Sequence, residues 1–262
     1  MNWRSSVHVW LVLLTSVGAL LRLYQLSILP ATMHRNETAI AYNAYSILQT
    51  GKDEHGVVYP LNFQSFGDYK LPGMIYATTV SIAAFGLNTF AARLPTALFG
   101  IFTIPLAYWL TREMGWSKRV GLVTALLLTF SFLYISQSRN IYEPIAGLFF
   151  TTLGWGAWLA GRKKAWFYII AVLAFIIGSL FYNLPFLLLP MLFVGSWLIL
   201  RDWSKKFGIE VSDWRQLAAS IVILIFAAVL IMMTGEVNQG KSSTTIISHP
   251  ELQQKSQLAY HA

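Results

Sequence analysis

The chain is 262 residues long, 56% apolar and 11% charged, with a formal net charge of +8 and no cysteine. That much apolar sequence excludes an ordinary soluble domain, and the missing cysteine excludes disulfides, a thiolate nucleophile and a cysteine-based zinc site. Nucleic acid is excluded as a partner: the Lys and Arg residues form no stripe interleaved with aromatics but gather at the ends of apolar runs, where the partner they fit is a lipid bilayer.

In chain order, apolar windows of about 20 residues predict an all-α polytopic transmembrane protein with seven spans at 7–26, 94–110, 120–136, 144–160, 166–182, 184–200 and 217–234. The first is too long for a cleaved signal core and lacks a small-residue cleavage site, so it reads as an uncleaved anchor. An external loop, 27–71, follows. Within it Ile40, Ala44, Ile47 and Leu48 recur at helical spacing, Asn43, Ser46 and Gln49 mark a polar side, and Gly51 supplies a stop. The pattern predicts a short amphipathic helix lying on the membrane. Asn36 is its expected N-cap, with Glu37 in the first turn, where unpaired N–H groups favour a carboxylate. Asp53-Glu54, beside His55, reads as a solvated pair in a polar turn. The piece 72–90, interrupted by Gly73, Gly86 and Asn88, reads as re-entrant or interfacial rather than crossing. Residues 1–234 thus form the membrane core, and the polar tail 235–262 resembles the start of a further external loop cut short.

Charge sets the orientation. With 72–90 not crossing, Arg4, Arg112, Lys118, Arg119, Arg162, Lys163, Lys164, Arg201, Lys205, Lys206 and Arg215, eleven cations, share one face. Arg35, Lys52, Lys70, Arg93, Arg139, Lys241 and Lys255, seven, share the other, and Arg22 stays within the first span. Positive residues in short loops favour the cytoplasm. The N-terminus is therefore expected inside and loop 27–71 outside, on the plasma membrane if the source is a prokaryote. Trp109, Trp116, Trp166 and Trp203, near span ends, fit an interfacial aromatic belt.

Four pieces on the expected external face carry a resemblance: Asn36-Glu37, "GDYKLP" at 67–72, "AARLPTALFG" at 91–100, and Ser138-Arg139 with Glu143. In this order they resemble the C-type (GT-C) integral membrane glycosyltransferases of the dolichyl-phosphate-mannose protein mannosyltransferase-like and aminoarabinose transferase-like families. The resemblance covers essentially the whole chain. It implies transfer of a sugar from a polyprenyl-phosphate donor to an acceptor hydroxyl on a protein, glycan or lipid, at the extracytoplasmic surface. It further implies catalytic roles for Glu37, Asn36 and Glu143, and substrate-binding roles for Asp68, Lys70, Arg93 and Arg139. Members usually carry Asp-Glu where this chain has Asn36-Glu37, and the aspartate is normally assigned the base role. An amide accepts no proton, so either Glu37 substitutes or the chain is impaired.

The residues also carry plainer readings. Glu37 and Glu143 suit helix starts, while Lys70, Arg93 and Arg139 suit snorkelling to lipid headgroups. No Gly-rich strand-to-helix loop is present, which argues against a nucleotide-sugar site; a lipid-borne donor needs none. Cations at the interface would stabilise the departing phosphate, for which guanidinium offers a planar fork. No cofactor is assigned. His34 and His55 leave a divalent metal open, although their spacing fits no metal motif. Asn36-Glu37-Thr38 matches a glycosylation sequon, read as accidental because a glycan would cover the expected site. Two alternatives from other classes stand beside transfer: a transporter subunit, and a catalytically silent lipid-binding membrane protein.

Overall fold

The computed structural model describes residues 3–65 and 68–182, with side chains from Val7 onward except at Asp68. The expected spans 184–200 and 217–234, the tail 235–262 and Trp203 lie outside the described residues. Eight helices account for most of the rest: α1 (Trp3–Leu23), α2 (Arg35–Thr50), α3 (Pro72–Phe85), α4 (Thr89–Glu113), α5 (Lys118–Phe130), α6 (Phe132–Ser138), α7 (Glu143–Gly161) and α8 (Phe167–Phe181). A small antiparallel hairpin, β1 (Phe63–Ser65) with β2 (Asp68–Lys70), corrects the all-α expectation. Three-residue strands are too short to show a two-residue hydrophobic period.

Among the described residues α4 is long and apolar enough to cross a membrane. Its 25 residues extend about 37 Å at 1.5 Å each, against a hydrocarbon core of about 30 Å. Asn88 starts it, accepting from the Ala91 N–H at 2.9 Å. α5 and α6 correct the expected unbroken span 120–136: together they form an apolar pair bent by 59°. At Ser131 the backbone turns extended; its N–H closes α5 on the Leu127 carbonyl and its Oγ accepts from Tyr134 to open α6. A serine side chain that substitutes for ladder bonds makes such a break tolerable.

α3 is about 21 Å long, and both its ends lie at one end of the bundle. Gly73 sits where a Cβ would meet the Leu180 carbonyl and the Phe181 ring at 2.7 Å, which is the C-terminal end of α8. At the other end of α3, Phe85 meets Phe90 at the start of α4, ring centroids 5.8 Å apart. The opposite end of the bundle holds Arg112 and Glu113 at the close of α4, with Lys163 Nζ donating to Glu113 Oε2 at 2.7 Å. The connection 161–164 and the first loop therefore sit at opposite ends.

The first loop packs rather than lying flat. Ile40, Ala44 and Ile47 of α2 join Met74, Ile75 and Ile82 of α3, Ala92 of α4, and Ile141 and Phe181 in one apolar cluster. Thr79 Oγ1 also donates to the Ala44 carbonyl at 3.2 Å. The apolar stripe of α2 thus faces protein, and Leu48, expected in that stripe, is exposed. Asn43, expected on the polar side, is fully buried: its Nδ2 donates to Ala39 O and Glu54 Oε1, and its Oδ1 accepts from the Glu54 N–H. Asp53 corrects the solvated-pair reading. It is buried, and its Oδ1 accepts from the N–H groups of His55 and Val57, closing a local turn. α2 ends as expected at Gly51, whose φ of 69° lies in the left-handed region.

Candidate functional site

At its N-terminus α2 begins one residue before the expected cap. His34 is the N-cap, so Asn36 is already helical and Glu37 takes the third helical position. From there the Glu37 carboxylate reaches back to accept from the His34 N–H at 2.9 Å, one half of a capping box. Glu37 is fully buried, and the cap is the smallest part of its work.

Arg93, one turn into α4, meets it. Arg93 Nε donates to Glu37 Oε1 at 3.2 Å and Nη2 to Oε2 at 3.4 Å, a forked pair. Glu37 Oε1 also accepts from the Ile141 N–H at 2.8 Å. One carboxylate therefore ties together α2, α4 and the turn before α7. The remaining Arg93 donors go to the carbonyls of Leu26 (3.4 Å), Pro30 (2.8 Å) and Thr32 (3.1 Å). All five guanidinium N–H groups are committed, and Glu37 accepts four bonds.

Arg139 extends the same scaffold. Its Nη1 donates to Leu21 O at 2.7 Å, and its Nη2 to Tyr24 O at 2.7 Å and Leu29 O at 3.1 Å. It satisfies the Leu21 carbonyl in the last turn of α1 and those of Tyr24 and Leu29 beyond it. Burial lowers its pKa, and the neighbouring Arg93 charge lowers it further. Two guanidinium groups thus hold six carbonyls of the segment 21–32.

Three candidates are left with spare polar capacity. Asn36 is exposed beside Glu37, Glu143 heads α7 half-buried, and Lys70 on β2 is buried; none makes a side-chain hydrogen bond or ion pair among the described residues. Asp68 stands opposite Ser65 in the β1–β2 register. The geometry therefore brings Glu37, Arg93 and the 139–141 turn into one network with Asn36 alongside. Among the described residues no side-chain hydrogen bond or ion pair links Lys70 to it. Among the described residues no group of three or more His, Asp or Glu converges, and His55 Nε2 instead lies 3.0 Å from the Gln64 carbonyl.

Sequence reasoning missed one participant of this network and misplaced one residue of α2 outside it. Ile141 acts through its backbone N–H, which no side-chain pattern announces. Asn43 looked like a surface residue because its side-chain partner from outside α2, Glu54, lies eleven residues away.

Comparison with known proteins adds a lineage to this geometry. A family profile described as dolichyl-phosphate-mannose-protein mannosyltransferase matches residues 12–238. An uncharacterized protein of Aquifex aeolicus (strain VF5) is 29% identical over 177 residues, which are 67% of this chain and 35% of that protein. A solved structure of the archaeal oligosaccharyltransferase AglB from Archaeoglobus fulgidus, in complex with an inhibitory peptide and a dolichol-phosphate, superposes with a TM-score of 0.62 at 15% identity. That match covers 88% of this chain and 30% of the archaeal one, so the chain spans about a third of the length of each.

Proposed function

The chain belongs to the dolichyl-phosphate-mannose-protein mannosyltransferase family, of GT-C type, and from that premise we propose that it moves a sugar from a polyprenyl-phosphate donor to an acceptor hydroxyl at the extracytoplasmic surface. The observation that carries this reading is the Glu37 network. It draws residues from three motifs far apart in sequence to the one end of α4 that the charge pattern puts outside. The seven-span topology, with the N-terminus in the cytoplasm and 72–90 not crossing, is part of the same proposal.

Within it the roles follow from spare bonding capacity. Glu37 and Arg93 are saturated by each other and by the backbone, so their part is to hold the site; the base role expected for Glu37 and the phosphate contact expected for Arg93 give way to this. Arg139 has the same holding part. Lys70, which makes no side-chain hydrogen bond or ion pair among the described residues, takes the donor phosphate as a cation whose donors are uncommitted. Glu143 orients the acceptor hydroxyl or accepts its proton, and Asn36 offers a neutral contact where a carboxylate would act as base. Asp68, on the same hairpin as Lys70, remains a substrate-binding candidate, and the acceptor is left as a protein, glycan or lipid hydroxyl.

Asn36 favours a second reading, a lipid-binding protein that no longer turns over. Reconstituting the full coding product with a polyprenyl-phosphate sugar, and measuring donor binding and sugar transfer separately, decides between them. Binding with turnover supports transfer, binding without turnover supports the silent form, and absence of donor binding removes both.

A further inference from the structure

We infer that Arg22 is a positioning residue for this site: it holds the break between α5 and α6 in the bend that presents residues 138–143 to Glu37. The inference rests on reading the Glu37 end as the substrate-facing end. Arg22 lies at the end of α1, wholly withdrawn from solvent, and no carboxylate pairs with it among the described residues. An arginine buried between apolar helices is costly unless the surroundings use it.

Its contacts say what uses it. Nη1 donates to the Gly18 carbonyl one turn back on α1, and Nη2 to the Leu128 carbonyl on α5, each at 3.0 Å. The guanidinium lies over the Tyr134 ring of α6, 5.0 Å from its centroid. Among the described residues Nε has no hydrogen-bond partner, and it faces Gly100 of α4, where a Cβ would come within 3.3 Å of it and 2.6 Å of the Ser138 Cβ. Four helices therefore meet at one side chain, and α4 carries a glycine there to leave room.

Leu128 is the informative acceptor. In a continuous helix its carbonyl would accept from the N–H of residue 132. The 59° bend at Ser131 takes that donor away, because the last bond of α5 runs from Ser131 to Leu127. A carbonyl on a partly buried apolar helix face that is stripped of its donor is unfavourable, and Arg22 replaces what the bend removed. Through Tyr134 the same guanidinium touches α6 on the other side of the break, so it spans the joint. α6 then runs to Ser138 against Gly100, to Arg139 on the carbonyls of Leu21 and Tyr24, and to the Ile141 N–H on Glu37. A rotation of α6 about Ser131 would pull those contacts out of place.

The test uses the protein in lipid bilayers and the absence of cysteine from these 262 residues. Spin labels at Tyr42→Cys on α2 and Leu133→Cys on α6, both exposed, report the distance between the two helices. Arg22→Lys keeps the charge without the planar fork, and Arg22→Met removes the charge at similar length. Both are expected to shift or broaden the α2–α6 distance and to lower kcat on the order of 10²-fold, the scale of an ångström-sized misplacement, with the donor KM unchanged. An unchanged distance in Arg22→Met, or transfer at the parent rate, overturns the inference. Should the Arg22 variants fail to fold, Tyr134→Leu removes only the α6 side of the contact, and an unmoved distance there overturns it equally. The distance is read without turnover, so a parent protein that binds no polyprenyl-phosphate donor counts against the proposed activity alone.

Discussion

The Glu37 carboxylate and the Arg93 guanidinium stand 3.2 Å apart with both side chains almost wholly closed to solvent. Fifty-six residues separate them in sequence. Such a pair is costly to desolvate, and removing one partner strands the other. Arg93→Met should destabilise the protein by about 3–5 kcal/mol, measured by denaturant unfolding in detergent. Glu37→Met with Arg93→Met should recover much of that, since no buried charge remains. Single variants with parental stability would show that the pair does not hold the loop to α4.

Lys70 is expected to act on the donor and not on the fold. Lys70→Gln should weaken binding of a polyprenyl-phosphate sugar by about 1.5–3 kcal/mol, the range for a hydrogen bond to a charged group, while the unfolding midpoint stays put. Calorimetric titration of the donor checks this. Equal affinity in the variant would leave Lys70 as an interfacial anchor.

Asn36 and Glu143 are distinguished by opposite outcomes. If Asn36 occupies the place of a lost base, Asn36→Asp should raise transfer on the order of 10²- to 10⁴-fold. Glu143→Gln should lower kcat with donor binding intact. Turnover unaffected by either change would place the proton transfer elsewhere.

The topology yields to labelling, because Lys52 and Lys163 are both exposed and lie on loops at opposite ends of the bundle. In intact cells an impermeant thiol reagent should modify Lys52→Cys and spare Lys163→Cys. The reverse pattern would invert the orientation and put the Glu37 network inside.

Gly73 sets how closely α3 approaches α8. A methyl group there would press on the Leu180 carbonyl at 2.7 Å, and backbone cannot swing aside as a side-chain tip can. Gly73→Ala should cost about 1–3 kcal/mol, as overpacking generally does. Thermal unfolding at parental temperature would show that the helices separate freely.

What the sequence determined by itself was where the long apolar helices run and the identity of the pieces. Long apolar windows locate α1, α4, α7 and α8 because a bilayer rewards continuous apolar surface regardless of partner, and Gly51 ends α2 because a left-handed turn favours glycine. Four motifs in order named the lineage that the family match then showed. The tertiary structure alone decided which polar groups are already used. Whether Glu37 is free to take a proton depends on Arg93, His34 and Ile141 converging on it, and two of its four bonds come from backbone N–H groups that every residue possesses. Ser131 breaks a run of apolar residues whose composition favours one helix, and at that break Arg22, from another helix, donates to the Leu128 carbonyl. Local pattern reports which stretches are apolar enough for a long helix; which hydrogen bonds a residue has left to give is a property of neighbours brought from far along the chain.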